Sequence, residues 1–149
     1  MITIRRMVID DYDKICHLWH QIQGFAIRSI DDSRQGIETF LRRNPNTSVV
    51  AEYNGEIIGT ILCGNDGRYG YLYHVCVMKD YRAMGIGKLM VQEVIKSLRE
   101  ENISKIALIA FSKNEVGNTF WKKLGWTRRE DVNYYDFTLN EDNIIAINE

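Results

Sequence analysis

Val75-Cys-Val-Met-Lys-Asp-Tyr-Arg-Ala-Met-Gly-Ile-Gly-Lys88 is the stretch that decides the fold. An apolar run typical of a strand leads into Arg82-x-x-Gly85-x-Gly87. A helical stripe of Leu89, Met90, Val91, Val94, Ile95 and Leu98 follows at once. Glycines at such a junction free backbone amides to face outward. A cluster of amides at a helix N-terminus, carrying roughly half a positive charge from the macrodipole, is a natural seat for phosphate. Arg82 and Lys88 add formal charge, so a pyrophosphate fits the segment. Two glycines can also do no more than shape a tight strand-to-helix connection. Two other phosphate loops are excluded by spacing. There is no Gly-x-Gly-x-x-Gly with an acidic residue about 20 positions on, and Gly87-Lys88 is followed by Leu89 where a nucleotide hydrolase needs Ser or Thr to hold magnesium.

The pattern around this unit extends it in both directions. Towards the N-terminus, Tyr69 to Met78 is apolar enough on both faces to be a central strand. Ser48–Tyr53 and Glu56–Cys63 form a hairpin, because the Asn54-Gly55 between them suits a two-residue type I′ turn. Thr3–Met7 reads as a first strand. Ile15, Leu18, Trp19 and Ile22 mark a helix ending near Gly24, and Ile37, Phe40 and Leu41 mark a second that must stop before Pro45. Phe25 to Ser33 between them reads as irregular. Towards the C-terminus, Lys105–Ala110 is a buried strand. Ser112 and Glu115 have capping-box spacing for a last helix that ends at Gly125, and Tyr134–Leu139 is predicted to close the sheet. Asn140 to Glu149 carries no clear pattern.

The 149 residues and 45% hydrophobic content suit a single domain, residues 1–149, with one sizeable core. Lys and Arg number 19 against 20 Asp and Glu, a net charge of −1, which offers nucleic acid or an anionic membrane no bulk attraction. Cys16, Cys63 and Cys76 share no metal-ligand spacing, so no metal is expected and free thiols in a reducing compartment are. The N-terminus lacks an apolar leader and no run approaches membrane-spanning length, so the expected location is the cytoplasm.

The loop together with a later segment resembles the GNAT family of N-acetyltransferases. Arg82-x-x-Gly85-x-Gly87 is similar to that family's coenzyme A pyrophosphate loop. Asn114-Glu-Val-Gly117-Asn-Thr-Phe120-Trp121-Lys-Lys-Leu-Gly125-Trp126 is similar to its Asn-x-x-Ala-x-x-Phe-Tyr helix with a Gly-aromatic end. The resemblance spans essentially the whole chain. It implies an α/β (α+β) fold, with a mixed, mostly antiparallel sheet flanked by helices and two central strands splayed around acetyl-coenzyme A. It implies transfer of acetyl to an amine of a small molecule or a protein. It assigns Val75, Cys76, Val77, Arg82, Ala83, Met84, Gly85, Ile86, Gly87, Lys88, Asn114, Gly117, Phe120 and Trp121 to the cofactor, with a backbone amide of Val75–Val77 donating to the thioester oxygen and Asn114 to the pantetheine arm. Some members dimerise, which leaves a homodimer open. Lys79, Ala83 and Gly117 depart mildly from the family pattern. Trp121 departs in substance, standing where a tyrosine often acts as general acid.

Acetylating an amine whose pKa is about 10 requires a proton acceptor near neutral pH. His74, on the strand just before the loop, is the candidate base; it can equally be a packed, hydrogen-bonded histidine. An indole is too weak an acid to protonate the departing thiolate, so Tyr134, Tyr135 or water stand in for the missing tyrosine. Asp32, Asp66 and Tyr71 are candidates to receive a cationic acceptor, each also readable as an ordinary turn, cap or surface residue. Cys76 reads as an inert buried thiol. The alternative to an enzyme is a coenzyme A sensor without turnover.

Overall fold

A computed structural model describes all residues, 1–149. Its main sheet has five strands in the order β1-β3-β4-β5-β6: β1 (Thr3–Arg6), β3 (Val49–Tyr53), β4 (Glu56–Asn65), β5 (Tyr69–Val77) and β6 (Lys105–Leu108). Neighbours are antiparallel except β5 and β6, which are parallel. The β3–β4 turn is as predicted: Asn54 and Gly55 both have positive φ, 51° and 76°, the pair of values a type I′ hairpin demands.

Helices cover both faces. On one side lie α1 (Tyr12–Gln21) and α2 (Arg34–Arg43), with Ile15, Leu18, Trp19, Ile37 and Leu41 buried against Val50, Ile57, Leu62 and Cys76. On the other lies α3 (Ile86–Glu100), whose Ile86, Met90, Val91, Val94 and Leu98 pack on Val49, Ala51, Ile58, Cys63 and Leu72. Neighbouring residues such as Ile57 and Ile58, or Leu62 and Cys63, feed opposite cores, which is why β4 reads as continuously apolar. The last helix, α4 (Glu115–Lys123), contributes Phe120, Trp121 and Leu124 to the α3 side.

Five expectations are corrected. Phe25–Ser33 is not wholly irregular: β2 (Ala26–Arg28) pairs antiparallel with β7 (Ile145–Ile147), a partner lying at the far end of the chain. Tyr134–Leu139 forms no strand; these residues have no ladder partner, and Tyr135, Phe137 and Leu139 are almost fully exposed. Alternation alone cannot satisfy a backbone. Helix α4 is capped by Asn114, whose Oδ1 accepts from the Gly117 amide, and not by a Ser112–Glu115 box. β5 is apolar on both faces only in its second half, since Tyr69, Tyr71 and Tyr73 are exposed on the side that α1 and α2 leave uncovered, and β6 ends before the exposed Ile109.

Candidate active site

The strand-to-helix junction is an exposed loop, Arg82–Gly85, on a rigid base. A 3-10 turn (Lys79–Tyr81) leads from β5 into it. Ala83 and Gly85 have positive φ, 62° and 82°, flanking Met84. Alternation of this kind turns successive N–H groups to one side and makes an anion-binding concavity, here continuous with the first amides of α3. Ala83 holds a left-handed conformation that costs a non-glycine residue about 1 kcal/mol, strain of the sort that persists at binding sites. Gly87 serves packing, since a Cβ there would stand 3.1 Å from two ring carbons of Phe120, so its absence lets α4 close on the start of α3. Arg82 Nε donates to the Val77 carbonyl (2.9 Å), which holds the guanidinium back over the strand end. Lys88 and Met84 are exposed.

Beside the loop the sheet opens. β5 and β6 pair only from Tyr69–Lys105 to Leu72–Leu108. The remainder of β5, Tyr73 to Val77, has no strand on that edge, so its main chain is unpaired there. Asn114 caps α4, which carries Gly117, Phe120 and Trp121. Phe120 and Trp121 meet edge to face (centroids 4.9 Å), and Trp121 leans on Trp126 (4.6 Å). Adjacent in sequence, the two rings nonetheless share one aromatic cluster on the α3 core.

At the point where the edge becomes free, β5 carries a bulge. Thr60 faces Cys76 and Leu62 faces Tyr73, so Ile61 alone spans His74 and Val75, and His74 takes φ 50°. The bulge breaks the alternation and places the His74 ring on the α1 face, against Trp19 (4.5 Å) and Phe25 (4.7 Å). The main chain is fixed by a relay in which Trp19 Nε1 donates to Thr60 Oγ1 (2.9 Å), which donates to the His74 carbonyl (2.8 Å). His74 Nε2 lies 2.7 Å from Asp32 Oδ1, the side chains being 11% and 5% exposed. Asp32 is therefore not open to a cationic substrate as its sequence position suggested. One oxygen meets His74 and the other accepts from the Arg28 amide (2.7 Å).

The remaining candidates scatter. Asp66 accepts from the Arg68 and Tyr69 amides, bonds that hold its carboxyl below the usual range and spend it on the turn. Tyr71 stands half-exposed on β5, two residues from Tyr73, whose phenol is pushed up by burial and then by Tyr71 and Tyr134. Tyr134 and Tyr135 are exposed and belong to no regular element. Cys76 is buried beneath α1, and burial pushes its thiol up to about 11, which leaves almost no thiolate near neutrality. No cluster of potential metal ligands forms. The His74–Asp32 pair has no trace in sequence, because its members lie 42 positions apart and neither sits in a motif.

The acetyltransferase (GNAT) family profile matches residues 10–126. The chain belongs to the GNAT family. It is 30% identical over 133 residues to an acetyltransferase of Sodalis glossinidius, covering 89% of this chain and 92% of that one. Its fold is similar to that of the PaiA N-acetyltransferase of Thermoplasma acidophilum solved with coenzyme A (TM-score 0.77, 17% identity, 97% and 96% of the two chains). It is also similar to the aminoglycoside N-acetyltransferase AAC(6')-Iy solved with CoA (TM-score 0.73, 18% identity, 92% and 95%). The GNAT protein described here is an acetyl-coenzyme A-dependent N-acetyltransferase. No helix of it is long and apolar enough to cross a membrane.

Proposed function

We propose that this single domain transfers acetyl directly to a primary amine, with the amide-lined loop Arg82–Lys88 holding the coenzyme A pyrophosphate and the free edge of β5 holding the thioester. The observation that supports this is the alignment of three features on one strand: the concavity after its end, the unpaired edge along Tyr73–Val77, and the bulged His74 between. Acetyl-coenzyme A supplies a thioester and a good leaving group. The chain supplies everything else. A backbone amide from Val75 to Val77 donates to the oxygen on which negative charge develops, and such a preorganised donor is worth about 3 kcal/mol in comparable sites. His74 takes the proton that the amine must lose. Phe120 and Trp121 wall the groove, and Asn114 Nδ2 reaches the pantetheine arm while its Oδ1 caps α4.

The acceptor is a small molecule or a peptide that approaches from the side of Phe25, Tyr71 and Tyr73, where the α1 and α2 layer leaves the sheet uncovered. Tyr134 and Tyr135, exposed beside this face, are the acids nearest in character to the absent tyrosine. The cytoplasm is the proposed location and a homodimer remains compatible with the exposed 132–139 segment. The test is thiol release from acetyl-coenzyme A with benzylamine, a primary amine small enough for any pocket, and then with glucosamine 6-phosphate, an aminoglycoside and an alanine-terminated peptide. Turnover lost in His74→Gln while acetyl-coenzyme A still raises the unfolding temperature supports the base. Unchanged turnover in that variant overturns it.

A further inference from the structure

Asp32 is a carboxylate held at 5% side-chain exposure with both oxygens used inside the chain, an expensive placement for a residue in a surface loop. A carboxylate only accepts, so the 2.7 Å contact makes His74 Nε2 the donor. Which ring nitrogen carries the proton is set by the bond the other makes. With Nε2 committed, Nδ1 is left with its lone pair and no partner in the chain. Trp19 and Phe25 both pack against the ring, with centroids at 4.5 and 4.7 Å. The loop that brings Asp32 in is itself tied down: Tyr12 Oη donates to the Asp32 carbonyl (2.7 Å), and Asn143 Oδ1 accepts from the Ile30 and Asp31 amides.

We propose that Asp32 is a positioning residue: it fixes His74 as the Nε2-protonated tautomer, so that Nδ1 accepts the proton leaving the amine nitrogen. This rests on the reading of His74 as the base. A role confined to holding the loop predicts a different outcome, because the Tyr12 and Asn143 bonds hold the same loop without touching the ring.

The experiment compares Asp32→Asn, His74→Gln and Tyr12→Phe, assayed with acetyl-coenzyme A and benzylamine, alongside nitrogen-15 histidine NMR of the folded protein. Asparagine keeps an acceptor for the Arg28 amide and can turn its NH2 to Nε2, which moves the ring proton onto Nδ1 and blocks the base. Asp32→Asn is expected to lower kcat at least tenfold with KM for acetyl-coenzyme A within twofold, and to replace the Nε2-protonated signature of His74 by the Nδ1-protonated one. Tyr12→Phe is expected to keep both kcat and signature. Should His74→Gln abolish turnover while Asp32→Asn retains kcat within twofold or the wild-type tautomer, Asp32 is not positioning the base and the proposal falls alone. Should His74→Gln keep full turnover, the base reading falls and takes this proposal with it. The imidazole signature needs no acceptor, so a wild-type tautomer in Asp32→Asn is decisive even if benzylamine proves a poor substrate.

Discussion

The glycine loop and the His74 pocket differ in how they are assembled. The loop, residues 82–88, is one contiguous piece whose conformation comes from local causes: positive φ at Ala83 and Gly85, and a helix that starts at Ile86. The pocket is gathered from α1 (Trp19), the β2 loop (Phe25 and Asp32), β4 (Thr60) and β5 (His74), and it closes only when the sheet and the α1 layer have docked. Under the proposed assignment, the local loop can therefore survive damage that ruins the gathered pocket. The tail sharpens the contrast. β7 pairs with β2, and Asn148 Nδ2 donates to the Trp19 and Ile22 carbonyls at the end of α1 (both 2.8 Å), so the last residues of the chain brace the pocket and nothing near the loop.

The largest expected effect falls on the pocket. Trp19 is fully buried, stacks on Phe25, packs tilted against His74, and anchors Thr60. Trp19→Ala is expected to cost about 3–5 kcal/mol in urea unfolding, the usual price of deleting a buried aromatic. A loss below about 2 kcal/mol would mean that the α1 layer docks loosely and that the pocket is not a unit.

Next comes the loop. Ligand at 100 times its dissociation constant adds about 2.7 kcal/mol, or about 5–10 °C for a domain of this size, and acetyl-coenzyme A is expected to do this for the wild type. The pair Gly85→Glu, Gly87→Glu should abolish the shift, through negative charge at the concavity and a side chain driven towards Phe120. A shift that persists in this variant would place the pyrophosphate elsewhere.

That asymmetry also explains what the sequence disclosed. Much that is local was legible: the Asn54-Gly55 turn, the amphipathic stripe of α3, and the glycine loop, though not the Asn114 cap of α4. Elements whose partners lie far away were not. β2 is invisible because three residues acquire strand character only from Ile145–Ile147, and Tyr134–Leu139 failed because its alternation met no strand. Asp32 was noticed for its charge yet misassigned, since nothing in the chain order announces that it will meet a histidine 42 positions on. The bulge at His74 is likewise a property of β4 and β5 together.

A smaller effect should separate the two regions directly. Asn148→Ala removes two hydrogen bonds at the end of α1, at about 1 kcal/mol each. It is expected to lower stability by about 1–2 kcal/mol and reduce turnover with benzylamine, while the shift produced by acetyl-coenzyme A stays as in the wild type. A variant that lost the ligand shift along with turnover would show the tail coupled to the loop after all.

The smallest expected effect concerns the wall between the two regions. Trp121 leans on Trp126 and meets Phe120 edge-on, contacts that the smaller phenyl ring keeps in part. An indole N–H cannot deliver a proton to a departing thiolate, so its loss removes no chemistry. Trp121→Phe is therefore expected to leave kcat within about tenfold, a cost below about 1.4 kcal/mol, with a similarly small effect on stability. A much larger fall in kcat, with the acetyl-coenzyme A shift intact, would place the indole against the reacting atoms and make this aromatic wall part of the chemistry, so that the division between a binding loop and a reacting pocket would no longer hold.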